Sequence, residues 1–345
     1  MFNRTISKNN IPAFIDFLIK EKFEVIAPVR DEVGTIFQVV RSGEEITLDY
    51  INTTYPPKNF FLPDNEILFE YRKKGKSFKL EENGKRKKRV IKRVIFGIRP
   101  CDVHGLMALD KIFIDDLKDP YYLEKRRKTA IIAINCNKAG EHCFCESMGT
   151  DKLEDNYDLL LTDLGDKYFV EIGSDLGKSL VKNSLFKFAL RKPKRKKLRY
   201  KKRFNAKNIE KKLLDVFNDR GWEEVGKKCL SCGACTLICP TCYCFNVVDE
   251  PDFDGNGVRR RVPSYCMLLE FSRVANDVIF RKNRTERCKQ FVYHKLSYFK
   301  ERYGKQLCVG CGRCIEICPV NIDFFDTAEK ILKRKAKKKV FRRRR

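Results

Sequence analysis

Sixteen cysteines stand in a chain of 345 residues, and eight of them fall into one pattern written twice. Cys229, Cys232, Cys235 and Cys239, followed by Pro240, are matched by Cys308, Cys311, Cys314 and Cys318, followed by Pro319. Glycine follows the second cysteine of each copy, at Gly233 and Gly312. Three thiolates at i, i+3 and i+6 in a tight loop wrap one corner of a cubane [4Fe–4S] cluster. The glycine lets backbone N–H groups approach the cluster sulfurs, and the proline turns the chain away. Structural zinc favours two separated cysteine pairs over a four-cysteine run. The repeat therefore predicts two [4Fe–4S] clusters.

This run is the one that bacterial ferredoxins carry, and in their two-cluster forms the fourth cysteine ligates the other cluster. The same crossing here gives Cys229, Cys232, Cys235 and Cys318 to one cluster. Cys308, Cys311, Cys314 and Cys239 then hold the second. From Cys239 to Cys308 is 69 positions, filled largely by helical patterns. That length predicts a helical ferredoxin-type domain rather than a small β-rich one.

Eight cysteines remain. Cys101 follows a strand and opens a helix, where the helix dipole favours a thiolate. Cys136 follows the next buried strand, with Cys143 and Cys145 close behind. Ligands of open α/β sheets gather at the carboxyl ends of strands. Cys101, Cys136, Cys143 and Cys145 are therefore candidates for a third iron–sulfur cluster; as buried apolar cysteines they would need no ligand. Cys242 and Cys244 lie beside the first copy of the repeat and read as packing around it. Cys266 and Cys288 read as core residues on helices. His104 and His142 neighbour Cys101 and Cys143, as thiolate partners or as exposed side chains. His294 falls in a helix with no partner visible.

The elements that must position these residues divide the chain. Residues 1–189 alternate helix and strand signals: a helix at 12–22, strands at 23–29, 35–40, 89–98, 129–135, 158–162 and 167–172, and helices at 102–113 and 175–190. This predicts an N-terminal α/β domain. A polybasic linker follows at 190–203, then a helical two-cluster ferredoxin domain at 204–329 and a basic tail at 330–345. Helices are expected at 204–221, 264–281 and 285–303. In the middle one, Leu268, Leu269, Val274, Val278 and Ile279 mark the buried face. The fold class is thus α+β.

The net charge is +27. Three acid-free runs account for that excess: 7 Lys and Arg in 85–93, 10 in 191–203 and 11 in 330–345. These runs read as solvated charge or as a dock for an acidic partner protein. Nucleic-acid binding is set aside, because the runs have little aromatic interleaving and no reader motif. No apolar run is long enough to span a membrane. The polar stretch Met1–Ile11 lacks the apolar core of a signal peptide, so a cytoplasmic location is expected. In such a reducing compartment, clustered cysteines are metal ligands rather than a disulfide framework. Residues 173–179 (GSDLGKS) fall one residue short of a phosphate-binding loop. Residues 252–257 (DFDGNG) lack the twelfth-position glutamate of a calcium loop and read as a turn.

Residues 96–113 (FGIRPCDVHGLMALDKIF), 131–149 (IIAINCNKAGEHCFCESMG), 229–249 (CLSCGACTLICPTCYCFNVVD) and 307–323 (LCVGCGRCIEICPVNID) resemble the beta subunit of cytoplasmic sulfhydrogenases, which are multi-subunit [NiFe] hydrogenases. The electron-transfer subunit of anaerobic sulfite reductase is a near relative of that family. The resemblance covers about residues 10–325. It implies a non-catalytic subunit that relays single electrons between a flavin subunit using NAD(P)H and a catalytic subunit of the same complex. The sulfite reductase subunit is the alternative within the redox class. A nucleic-acid-binding iron–sulfur protein is the alternative outside it, and a stand-alone catalyst at the Cys101 region is a further one.

Overall fold

The computed structural model describes residues 3–82 and 92–343. Residues 85–91 and 344–345, parts of two basic runs, lie outside the described residues. So does the beginning, 89–91, of the expected strand at 89–98. The chain forms two compact units. The first gathers Met1–Ala139, Asp151–Arg199 and Phe245–Pro263; the second gathers Gly140–Thr150, Tyr200–Cys244 and Ser264–Arg345.

In the first unit β1 (Asn3–Ser7) leads to α1 (Ile11–Lys20), β2 (Phe23–Asp31) and β3 (Gly34–Val40). Next come β4 (Glu66–Lys74), β5 (Ser77–Glu82) and β6 (Lys92–Ile98), then α2 (Pro100–Asp110), α3 (Pro120–Arg127) and β7 (Thr129–Ile134). The remaining strands are β8 (Leu159–Asp163), β9 (Lys167–Ile172), β10 (Phe186–Ala189), β11 (Phe245–Pro251) and β12 (Gly257–Pro263). Eight of them form one sheet in the order β10-β1-β9-β8-β7-β6-β2-β3. Its centre, β8-β7-β6-β2, is parallel, and its margins are antiparallel. Central parallel strands are covered on both faces, so they read as continuous apolar runs rather than alternating ones. TAIIAI in β7 is buried at every position.

On one face α1 buries Ile11, Phe14, Ile15 and Leu18. Phe14 meets Phe186 of β10 edge to face at 5.0 Å. That contact explains a departure from expectation. The helix expected over 175–190 ends at Leu180, and Phe186–Ala189 pairs with β1 instead. α2 opens with Pro100 at its first position and Asp102 in its first turn, both favoured there.

A second, antiparallel sheet runs β11-β12-β4-β5. Its hairpin, β11 and β12, lies inside the stretch expected to be largely helical. The residues of β11, Phe245 and Val247 among them, are mostly exposed, so no buried apolar face marks the strand. The expected turn at 252–257 is present, with Asp252 Oδ1 accepting from the N–H of Asp254 and Asn256. Arg261 of β12 is buried and binds Glu66 of β4 and, at 2.6 Å, Asp119, the residue that caps α3. Glu66 also meets Lys125. A buried charge stripped of its partner is strongly unfavourable. We expect Glu66→Ala, which leaves Arg261 and Lys125 short of a counter-charge, to destabilise this unit by about 3–5 kcal/mol. A fall in the thermal unfolding midpoint of the protein purified without oxygen measures it; an unchanged midpoint refutes the assignment.

The second unit is helical around a single apolar core. Helices Ile209–Leu214, Gly221–Lys228, Arg284–Tyr293 and Phe324–Arg343 surround Trp222, Phe291, Tyr293, Phe324 and Phe325. Trp222 and Tyr293 enter with their polar ends satisfied: Nε1 donates to Val216 O at 2.9 Å and the Tyr293 hydroxyl to Leu213 O at 2.6 Å. The helix expected over 204–221 is broken, with Asn208 in a left-handed conformation before Ile209. The helix expected over 264–281 is absent. Asn276 and Asp277 adopt left-handed conformations, and Val274 and Val278 are exposed rather than buried. Arg273 turns to Glu270 and Asp277, so local ion pairs hold a loop where apolar spacing suggested a helix.

Candidate metal centre

The two copies of the cysteine repeat adopt one backbone shape. The second residue after the leading cysteine is left-handed in both, Ser231 at φ 57° and Gly310 at φ 65°. Gly233 and Gly312 follow at φ 79° and 81°, and each starts a single helical turn, Ala234–Leu237 and Arg313–Glu316. Matching backbone donors point at sulfur. Ser231 N–H reaches Cys229 Sγ at 3.3 Å, and Gly310 N–H reaches Cys308 Sγ at 3.4 Å. Ile322 N–H donates to Cys318 Sγ at 3.2 Å.

Cys229, Cys232, Cys235 and Cys318 line one small cavity, closed by Met267, Ile322 and Phe324. Cys239 acts on Cys308 and Cys314 of the second copy and on Cys235 of the first. Cys314 feels Cys235 as well, so the two sets adjoin.

Burial pushes the Cys235, Cys308 and Cys314 thiols up. A thiol so placed ionises only when a cation takes the proton's place. Cys229 is the exception. A hydrogen bond with Cys288 brings it down to about 6 against the effect of burial, helped by Ser231 N–H and by Arg284 and Arg287. Arg284 binds Cys229 O at 2.8 Å, and the buried Arg287 binds Ser231 Oγ at 3.0 Å. Among the described residues no group of three or more Cys, His, Asp or Glu side chains is arranged to hold a single metal ion. A cubane, with its irons on separate corners, takes its thiolates further apart. The donor set of eight sulfurs with N–H donors suits such clusters.

Sequence reading gives Lys295 no role at the site. It lies in a π-helical turn, His294–Tyr298, and is buried. Such turns are rare and concentrate at functional sites. Its carbonyl accepts from Leu307 and Cys308 N–H at 3.0 and 3.2 Å, tying down the start of the second repeat. Its ammonium donates to Thr241 Oγ1 at 2.8 Å. Burial disfavours that charge, but the neighbouring Cys239, Cys242 and Cys308 hold its pKa well above the ordinary value. His294 has a partner after all, the Tyr243 hydroxyl at 3.0 Å; burial and Lys295 push it down to about 4.

The segment Gly140–Thr150 belongs to this unit and packs on the second repeat. Phe144 N–H donates to Gly310 O at 2.8 Å, Thr150 Oγ1 to Val309 O at 2.6 Å and Cys143 Sγ to Cys311 O at 3.5 Å. Cys145 Sγ pairs with the Tyr200 hydroxyl at 3.5 Å. A Cβ on Gly312 would come within 2.6 Å of the His142 backbone. Cys101 and Cys136 lie in the first unit, at the carboxyl ends of β6 and β7. His104 bonds Lys152 O at 2.7 Å rather than a thiol. Cys266 and Cys288 are buried in the core, Cys288 on a helix and Cys266 in a turn. Cys242 and Cys244 follow the first repeat, half-buried.

The family model for a 4Fe-4S dicluster domain matches residues 228–322. Sulfhydrogenase 2 subunit beta of Pyrococcus furiosus is 34% identical over 331 residues, 93% of this chain and 95% of the relative. No solved structure matches.

Two outcomes check the geometry. Gly312→Ala, which meets both a left-handed φ and the His142 backbone, should lower stability by about 1–3 kcal/mol and reduce bound iron; wild-type iron content and melting would refute the steric reading. Lys295→Met removes a cation from beside Cys239 and Cys308. It should lower the potential of one cluster by about 60 mV or more, the one-electron equivalent of a tenfold step. Lys295→Arg should recover most of that shift in an EPR-monitored redox titration.

Proposed function

Because the chain belongs to the family of sulfhydrogenase beta subunits, we propose that it relays single electrons within a cytoplasmic hydrogenase-type complex, through two [4Fe–4S] clusters. The cavity that Cys229, Cys232, Cys235 and Cys318 line together carries this reading. Cys229, Cys232, Cys235 and Cys318 would hold one cluster, and Cys308, Cys311, Cys314 and Cys239 the other. Such a cluster stores one electron reversibly and supplies the redox chemistry.

The protein's own groups set the terms. Backbone N–H donors from Ser231, Gly310 and Ile322 reach the ligand sulfurs. Donors of this kind stabilise the reduced, more negative state and raise the potential. Arg284 and Arg287 act the same way on the Cys229 side. These arginines, rather than the exposed Lys227 and Lys228 beside Cys229 in sequence, are its cationic neighbours. Lys295 acts on the Cys239 side. The proposed partners are a flavin subunit using NAD(P)H and a catalytic hydrogenase subunit. No described helix is long and apolar enough to cross a membrane. The four N-terminal cysteines fall in different units, and the proposal rests on two clusters without a third.

Iron and acid-labile sulfide, counted on protein made without oxygen, should come to about 8 each per chain. Cys318→Ser should alter the EPR signal of the cluster held by Cys229, Cys232 and Cys235, and leave the other intact. Zinc without sulfide would overturn the electron-relay reading; a Cys318→Ser change confined to the cluster of Cys308, Cys311 and Cys314 would overturn the crossing.

A further inference from the structure

The first unit holds a cavity of about 480 Å³ that the electron-relay reading does not use. It opens at the carboxyl ends of β6, β7 and β8, where Arg99, Asn135 and Asp163 lie, and that edge is where parallel sheets bind ligands. Its size lies within the range of small-molecule sites.

Two of its lining side chains are buried with a polar atom unmatched. Arg99 is 6% exposed and Asn135 5%. Arg99 Nε and Asn135 Oδ1 have no hydrogen-bond partner among the described residues. The rest of the Arg99 guanidinium is held in place. Nη1 approaches Ile134 O at 3.5 Å, Nη2 donates to Tyr50 O, and the group stacks 4.0 Å from the Tyr50 ring. Arg99 takes part in no ion pair among the described residues. A buried, oriented guanidinium without a counter-charge costs free energy that folding alone does not return.

The surroundings supply further positive charge. Arg99 is the residue before α2, an eleven-residue helix whose positive end faces the same strand edge. Lys138 and Lys196, both exposed, stand at the rim. Of the acids that line the cavity, Asp163 is already taken by Lys8 at 2.7 Å and by Asn137 at 2.6 Å, leaving the exposed Asp49.

We propose that this cleft binds a small oxyanion ligand, a molecule carrying a carboxylate or a phosphate, with Arg99 as its anchoring charge. A planar guanidinium matches either group in a forked pair. Asn135 Oδ1 selects for a ligand that also carries a hydroxyl or amine donor. The site lies within the α/β unit and does not depend on the cluster assignment.

The test is equilibrium dialysis of the full chain, purified without oxygen, against labelled inorganic phosphate in one arm and labelled malate, a carboxylate that carries a hydroxyl, in the other, at fixed ionic strength. One saturable site is expected in at least one arm, and the arm that saturates tells phosphate from carboxylate. Arg99→Gln should weaken that binding at least tenfold while iron content stays as in the wild type. Should Arg99→Gln fail to fold, the exposed pair Lys138→Glu and Lys196→Glu decides, with an expected loss of at least fivefold. No saturable site in either arm overturns the proposal. So does binding that these variants leave unchanged, which would place the anion on the basic linker or tail.

Discussion

Sulfur anions packed into an apolar interior repel one another, and the cysteine-repeat unit is organised around that repulsion. Burial alone would keep Cys235, Cys308 and Cys314 protonated. What offsets it is built from backbone as much as from side chains. The left-handed turns at Ser231 and Gly310 aim N–H groups at Cys229 and Cys308. The cations Arg287 and Lys295 are themselves buried, which strengthens each by removing water from around it. Helices that carry these cations, Arg284–Tyr293 and the π turn after it, lie between the two repeats in sequence. The insert is therefore part of the electrostatics of the site rather than a spacer.

How far this was legible in the sequence depended on the kind of signal. The cysteine spacing carries its own geometry, so both repeats could be read directly. The central strands β6 and β7 were legible because burial on both faces leaves an apolar run. Lys295 was not, since a lone lysine in a helical pattern looks solvated until the thiols that neutralise its burial are in place. The loop at 264–281 misled because Val274 and Val278 keep a helical spacing while Asn276 and Asp277 bend the backbone away. The hairpin β11–β12 was hidden by its charged residues, whose ion pairs with one another leave no alternation to detect.

Arg99 illustrates the same point from the other unit. In sequence it is one basic residue two positions before Cys101. In the structure its burial, its stacking on Tyr50 and its unmatched Nε distinguish it from the exposed basic residues that dominate the net charge. A +27 chain directs attention to its runs of lysine and arginine, yet this buried guanidinium stands outside them.

The chain crosses from one compact unit to the other five times. A scheme in which a ready-made ferredoxin was appended to an α/β protein would leave one crossing, with each module recoverable by cutting there. Here no single cut releases either unit whole, since 140–150 and 245–263 each lie inside a stretch belonging to the other. A single gene fusion or fission at one junction therefore neither joins nor separates these two units as wholes.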